Sequence, residues 1–262
     1  MAELAVRPHV GSLLRTWRQR RRLSQLELAC EAGVSARHLS FLETGRSRPS
    51  RRMVLHLAGQ LDVPLRERNE LLVAAGFAPV YAERALTDPE MSPVRRSLDL
   101  LLAAHEPHPA LVVDRSWNLV AGNRAAWWFA GGAAPELVAP PVNVLRLSLH
   151  PDGLAPRIAN LAQWRSHVLH RLSRDAAVSA DPGLAALHAE LSALPGGEEP
   201  VPPGAVVVPL RVRHGDAELN FLSTVTTFGS AVDVTAAELS IETFLPADAA
   251  TAEALREIAA DG

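Results

Sequence analysis

Apolar residues in the first eighty positions recur at the spacing of amphipathic helices. Two stripes with this spacing flank the centre of the region: Val10, Leu13, Leu14 and Trp17, then Met53, Val54, Leu57, Ala58 and Leu61. Each stripe places its members on one side of a helix, where they can be buried together. The pattern predicts a small helical domain in this part of the chain.

The segment between these stripes predicts two short helices joined by a tight turn. Gln25 opens the first helix. The expected buried positions of that helix are Leu26, Ala29 and Cys30. Gly33 stands where the helix must end, because a left-handed residue costs least without a Cβ atom. Ser35 is placed to cap the second helix by accepting a backbone N–H bond.

The second helix separates an apolar face from a face that carries an arginine. Its inner positions are Leu39 and Leu42, and its outer positions are Arg37, Ser40, Phe41 and Thr44. A short helix of this kind after a tight turn is how helix-turn-helix proteins reach base edges in the major groove. The segment resembles the XRE, or lambda-repressor-like, family in Gln25, Ala29, Gly33, Glu43 and Gly45. The resemblance covers roughly residues 8–77 and implies an all-α helix-turn-helix domain of four to five helices.

From residue 93 onward the pattern mixes helices with β-branched segments. Helices are expected over 93–105, 125–130, 158–175 and 183–194, and strands over 111–114, 117–123, 205–214, 218–228 and 239–246. A turn at Arg115 and Ser116 joins the first two strands, and a turn at 214–216 joins the next pair. Asp248 or Thr251 is placed to cap a last helix. This order predicts an α+β domain with a mainly antiparallel sheet.

The length and composition divide the chain into two domains. A chain of 262 residues exceeds the usual size of one domain. We expect the helix-turn-helix domain at 1–82, a polar linker at 83–95 and the α+β domain at 96–262. Within the second domain, residues 195–204 predict an exposed connector rich in proline and glycine.

The net charge of −3 is the sum of a basic N-terminal part and an acidic C-terminal part. Residues 1–80 hold 13 Arg and 7 acidic residues, whereas residues 81–262 hold 13 Arg and 22 acidic residues. A basic first domain is attracted to phosphate, while an acidic second domain resists non-specific contact with DNA. A single cysteine excludes a disulfide framework. The sequence has no long apolar run and no signal-peptide core, so we expect a soluble cytoplasmic protein without membrane contact.

The second half is similar to the ligand-binding domain of MmyB-like transcription regulators. The similarity lies in three stretches: VVDRSWNLVAGN from Val112, NVLRLSLHPDGL from Asn143, and the run from Val208 to Asp248. The resemblance implies a PAS-like fold in which a sheet and helices enclose an apolar pocket. It also implies regulation by a small hydrophobic molecule, such as a fatty acid or a polyketide-like compound. No cofactor is expected.

Nine residues are the candidates for DNA contact: Gln25, Ser35, Ala36, Arg37, Ser40, Phe41, Thr44, Arg46 and Arg48. Arg37 is expected to read bases, since a guanidinium can bond guanine O6 and N7 together. Phe41 suits either a thymine methyl or the neighbouring helix, and Gln25 is expected at a phosphate. A further basic rim is expected from Arg18, Arg20, Arg21, Arg22, Arg51 and Arg52. The geometry of related regulators implies a homodimer on a palindromic operator.

The candidate ligand contacts are aromatic residues, two threonines and two arginines of the second domain: Trp117, Trp127, Trp128, Trp164, Phe221, Phe228, Phe244, Thr224, Thr226, Arg146 and Arg157. Aromatic residues at these spacings also suit an ordinary core. Strand alternation would present Thr224 or Thr226 inward beside Phe228. Arg146 or Arg157 would pair with the carboxylate of an acidic ligand, or else form a surface salt bridge.

The sequence carries no recognisable catalytic motif. His167 and His170 lie three apart on a predicted helix, but no third ligand of suitable spacing accompanies them, so no metal is expected. These features favour a transcription regulator without enzymatic activity. Two alternatives stay open, namely an enzyme that acts on the hydrophobic compound and a module that docks another protein.

Overall fold

The computed structural model describes residues 9–200 and 204–261. Residues 1–8 of the expected first domain and residues 201–203 of the expected connector lie outside this description. The chain groups into two compact units. The first runs to Glu83 and includes Ala231–Val234, and the second comprises Arg84–Ser230 together with the chain from Thr235.

Over residues 9–83, the first unit contains five helices: α1 (Val10–Arg20), α2 (Gln25–Glu31), α3 (Ala36–Glu43), α4 (Arg51–Gln60) and α5 (Leu65–Ala74). Ser24 and Glu27 form a capping box at the start of α2, each side chain accepting a bond from the other residue's backbone N–H. Ser35 accepts a bond of 3.1 Å from the His38 N–H, which confirms the predicted cap of α3. Gly33 has a φ of +62°, so the predicted left-handed turn is also confirmed.

One side of α3 packs on the core of the first unit. Leu39 and Leu42 are fully buried, as the pattern predicts. The predicted phase of α2 is wrong, however, because Leu26 is 71% exposed and Cys30 is also exposed. The inward positions of that helix are Leu28 and Ala29. Leu28 supplies the large buried side chain of α2, and this rotates Leu26 outward.

A glycine in α1 allows the close packing of α1 on α3. A Cβ atom added to Gly11 would lie 2.1 Å from the carbonyl oxygen of Leu42 and 2.8 Å from that of Glu43. Both neighbours are backbone atoms of the last turn of α3, so they cannot swing aside. Gly11 therefore fixes the distance between the two helices.

From residue 84 onward, the described part of the chain contains seven helices and five strands: α6 (Ser92–His105), β1 (Ala110–Val113), β2 (Leu119–Gly122), α7 (Pro135–Val138), α8 (Val144–Leu149), α9 (Leu161–Ser179), α10 (Pro182–Ser192), β3 (Leu210–His214), β4 (Ala217–Thr227), α11 (Val234–Ala237), β5 (Ser240–Pro246) and α12 (Ala249–Asp261). Short 3-10 helices add Pro89–Met91, Arg124–Ala130 and Ala155–Arg157. Asp248 accepts a bond of 2.8 Å from the Thr251 N–H, which confirms Asp248 as the cap of the last helix.

The five strands form one antiparallel sheet in the order β2-β1-β5-β4-β3. The fold class predicted for this half, α+β with an antiparallel sheet, is confirmed. The strand predicted over 205–214 is shorter than expected, because β3 starts only at Leu210. Pro209 precedes it and has no N–H to donate to a ladder, and Val206 is 94% exposed.

The sheet has an apolar cluster on each face. Leu111 and Val113 of β1 belong to the larger cluster, with α8, α9 and α10. Ala110 and Val112 belong to a smaller cluster with α6. The period of two along a strand explains this division, because successive side chains point to opposite faces. Over residues 9–200 and 204–261, no helix combines the length and the apolar character needed to cross a membrane.

Candidate functional site

The outer side of α3 is the first candidate site, and we call it the recognition face. It comprises Ala36, Arg37, Ser40 and Phe41 of α3, its C-cap Thr44, and Arg46 and Arg48 after it. Arg37, Thr44, Arg46 and Arg48 are exposed, while Ala36, Ser40 and Phe41 are half-buried. The face that the sequence predicts for DNA contact therefore points away from the core.

Two guanidinium groups contact the Phe41 ring on this face. The Cζ atom of Arg37 lies 5.3 Å from the centre of the Phe41 ring, and that of Arg46 lies 5.9 Å from it. Cations at this distance are attracted to the face of an aromatic ring. The Phe41 ring thus pre-orients both arginines.

A buried polar network ties α3 to α1 and α2. Arg18 donates from Nε and Nη2 to the two carboxylate oxygens of Glu43, at 2.6 and 2.9 Å. Gln25 donates from Nε2 to Glu43 Oε2 at 2.8 Å. The hydrogen-bonded carboxylate raises the pKa of Arg18 against the opposing effect of burial. Glu43 thereby sets the position of the last turn of α3.

Some arginines of the predicted basic rim are exposed, whereas Arg18 and Arg21 form hydrogen bonds within the first unit. Arg18 is buried in the Glu43 network, so its assignment to the rim is wrong. Arg21 donates to the carbonyl oxygens of Leu61 and Asp62, just past the end of α4. The exposed members are Arg20, Arg22, Arg51 and Arg52. The amide of Gln25, expected at a phosphate, is committed to Glu43.

The second candidate site is an apolar cavity on the larger-cluster face of the sheet. Its aromatic lining consists of Trp117, Trp127, Phe129, Trp164 and Phe244, and aliphatic side chains complete it. The cavity has a volume of about 70 Å³ on the measure by which one water molecule needs roughly 15 Å³, so it has room for several waters or for part of a small ligand. Trp127 lines the cavity although 51% of it is exposed, which places it at an opening.

Four polar side chains interrupt this apolar lining: Ser148, His167, Arg171 and Glu242. Arg171 donates from Nη1 to Glu242 Oε1 at 2.8 Å. The Cζ atom of Arg171 also lies 4.3 Å from the centre of the Trp117 ring. Ser148 accepts a bond of 3.0 Å from Trp164 Nε1. The cavity therefore has one ion pair, accompanied by the polar side chains of Ser148 and His167, in a mostly apolar lining.

Burial shifts the titration of two of these groups. It raises the pKa of Glu242, although the charge and the hydrogen bond of Arg171 oppose the shift. Burial also lowers the pKa of His167, and the positive charges of Arg171 and His170 act in the same direction. His167 is therefore a neutral imidazole at pH 7, which can donate one hydrogen bond from one ring nitrogen and accept one at the other.

The structure brings only part of the predicted ligand set to the cavity. Trp117, Trp127, Trp164 and Phe244 line it. The residues outside its lining are Trp128, Phe221, Phe228, Thr224, Thr226, Arg146 and Arg157. Leu219 and Phe221 point to the cavity face of the sheet, so the even-numbered positions of β4 point to the other face. There Thr224 forms a hydrogen bond with Thr243, and Phe228, just after the strand, packs on the α6 side.

The two predicted carboxylate partners are engaged elsewhere. Arg146 makes a bidentate pair with Glu190 at 2.6 and 2.8 Å on the surface. Arg157 stacks on the Trp128 ring at 4.4 Å and donates to the carbonyl oxygens of Trp128 and Gly131. In the part of the chain that is described, no group of three metal-ligating side chains is present.

Sequence reasoning missed Arg171 and Glu242. One signal was available, because Glu242 stands in the middle of an apolar strand segment, SIETFLP. An acidic residue at such a position is buried only with a partner. Its partner lies 71 residues away, and only the packing of α9 on β5 brings the two together.

Two family models match the chain. One, for a helix-turn-helix domain, matches residues 9–71. The other, for the MmyB-like transcription regulator ligand binding domain, matches residues 94–258, which is more than half of the chain. No curated protein matches it. The chain therefore belongs to the MmyB-like transcription regulators, DNA-binding proteins in which a helix-turn-helix domain precedes a ligand-binding domain.

Proposed function

We propose that α3 reads a specific DNA site and that a small hydrophobic ligand in the second unit controls this binding. The recognition face carries the proposal, since it exposes Arg37 and Arg46 with both guanidinium groups against the Phe41 ring. In helix-turn-helix complexes the corresponding helix lies in the major groove. The apolar cavity offers a place for the ligand.

The recognition face supplies different contacts from its two ends. Arg37, in the first turn of α3, would bond a guanine edge, and Phe41 would touch a thymine methyl. Arg46 and Arg48 follow the helix and would contact phosphates. The short side chains of Ser35, Ala36, Ser40 and Thr44 complete the proposed contact set. Gln25, whose Nε2 donates to Glu43, would contribute the backbone N–H at the start of α2 to a phosphate.

The proposed assembly is a homodimer on a palindromic operator. Two copies of α3 would enter successive major grooves, with half-site centres about 10 base pairs apart. Because the target is chromosomal DNA, the proposal places the protein in the cytoplasm.

Selection from a library of random duplexes tests the DNA-binding proposal. The full chain is expected to enrich one palindromic sequence with this half-site spacing. Arg37→Ala should lose the preference at one base pair of each half-site, whereas Arg96→Ala, a change at an exposed arginine of the second unit, should keep the full sequence. Recovery of unenriched sequence by the native chain would overturn the proposal.

The proposed ligand is a small hydrophobic molecule of the fatty-acid type. Four predicted residues, Trp117, Trp127, Trp164 and Phe244, would contact its apolar part. Native mass spectrometry of the purified chain should detect a bound lipid that is released on denaturation. A ligand controls DNA binding only if it binds the DNA-competent and DNA-incompetent states with different affinity. Absence of a bound lipid, with no binding of added decanol or decanoate, would contradict the ligand proposal.

A further inference from the structure

The charged pair in the cavity restricts the headgroup of the ligand. We infer that the cavity selects an uncharged headgroup, a hydroxyl or a carbonyl, over the ionised carboxylate of the same hydrocarbon chain. This inference rests on the proposed binding of a hydrophobic ligand in the cavity. It separates an alcohol, an ester or a lactone from an ionised fatty acid.

The positive charge in the lining already has a partner. Arg171 bonds to Glu242 at 2.8 Å, and Glu242 is only 5% exposed. The Trp117 ring holds the same guanidinium from a second direction, with Cζ 4.3 Å from the ring centre. Trp117 is itself buried. The guanidinium therefore has little freedom to leave Glu242 for a ligand.

The balance of charge around the pair disfavours an ionised acid. Arg171 holds Glu242 in an ion pair at 2.8 Å, and this pairing favours the ionised carboxylate against the effect of burial. A ligand carboxylate that reaches Arg171 therefore also approaches that of Glu242, and like charges repel strongly where water is excluded. His167, the other basic group in the lining, is neutral because burial, Arg171 and His170 lower its pKa. No net positive charge in the lining remains to compensate the second carboxylate.

An uncharged headgroup meets complementary groups instead. A hydroxyl can donate to the Glu242 carboxylate while it accepts from Arg171 or His167. A ketone or ester carbonyl can accept from the same donors and brings no charge into the apolar lining. An ammonium group would lie beside Arg171, so a cationic ligand is disfavoured as well. The pair thus acts as a neutral hydrogen-bonding end of an apolar site.

Titration calorimetry of the full chain with decanol, decanoate and decylamine tests this inference. At about pH 7 we expect decanol to bind at least about tenfold more tightly than either charged analogue. Glu242→Gln should raise the affinity for decanoate and remove most of the difference. Glu190→Gln is the matched control, because Glu190 pairs with Arg146 on the surface and does not line the cavity.

The possible outcomes separate the headgroup inference from the ligand proposal. Binding of decanoate as tightly as decanol to the native chain would overturn the headgroup inference and leave the hydrophobic ligand standing. Binding of none of the three compounds would overturn both. The comparison on the native chain decides the matter even if Glu242→Gln does not fold.

Discussion

Phe41 organises the recognition face because its ring contacts both long cationic side chains. Arg37 lies near the start of α3 and Arg46 beyond its end, yet both guanidinium groups are within 6 Å of the same ring centre. This arrangement restricts two flexible side chains before DNA is bound. Pre-ordering of this kind lowers the entropy lost on association.

We expect substitutions at these two arginines to have different effects. Arg37→Ala should weaken operator binding by about 1–3 kcal/mol and relax the preference at one base pair. Arg46→Ala should weaken binding to all sequences alike and reduce the salt dependence by about one phosphate contact. Fluorescence anisotropy over a set of operator variants at two salt concentrations measures both effects. Uniform loss in both variants would remove the base-reading role from Arg37.

Gly11 is a second position where one atom decides the packing. Gly11→Ala should lower the free energy of unfolding of the first unit by about 3 kcal/mol, because the new Cβ meets backbone oxygens of α3. Gly59→Ala in α4 is the matched control, since its Cβ has no heavy atom within 4 Å and alanine favours a helix. Urea denaturation of the full chain compares the two. Equal stability of both variants would contradict the contact.

At the scale of elements, β5 carries the buried acid into the cavity face of the sheet. Burial raises the pKa of Glu242 above its unfolded value of 4.5. Its contribution to stability is therefore complete below that value and is lost as the pH rises through the raised pKa. His167, whose pKa is lowered, acts in the opposite direction, and Asp175, whose pKa burial raises, acts in the same one.

A comparison of variants isolates the contribution of Glu242 from those of His167 and Asp175. As the pH rises from 4.5 through the raised pKa of Glu242, the native chain should lose more unfolding free energy than Glu242→Gln, since only the native chain releases this proton on unfolding. Urea denaturation of both chains across this range measures the difference. If their stability curves run parallel, the titration of Glu242 does not affect folding in this range.

The elements show where sequence patterns suffice and where they do not. The turn and the start of α3 could be predicted from Gly33 and Ser35, because a left-handed turn and a helix cap each depend on the type of one residue and its immediate neighbours. The phase of α2 did not follow, since Leu26 and Leu28 both offer an apolar side chain and only packing selects between them. Alternation along β4 likewise defined two faces, but nothing local told which face holds the cavity.

At the scale of the whole molecule, the ligand and the DNA are linked by thermodynamics. If decanol changes the dissociation constant for operator DNA by some factor, bound operator must change that for decanol by the same factor. Anisotropy with and without decanol gives one value, and calorimetry with and without operator gives the other. A ligand that binds tightly and leaves DNA affinity unchanged would remove the proposed regulation, although both binding activities would stand.

Strand β1 is the element through which we expect a bound ligand to act, because its residues face both the cavity and α6. Leu111 and Trp117 border the cavity, while Ala110 and Val112 support α6 from the other side of the same backbone. We expect an occupant that displaces Leu111 to shift Ala110 and Val112 with it, because the three residues are consecutive in one strand. A ligand at one face of the sheet would then alter the packing of α6 on the opposite face.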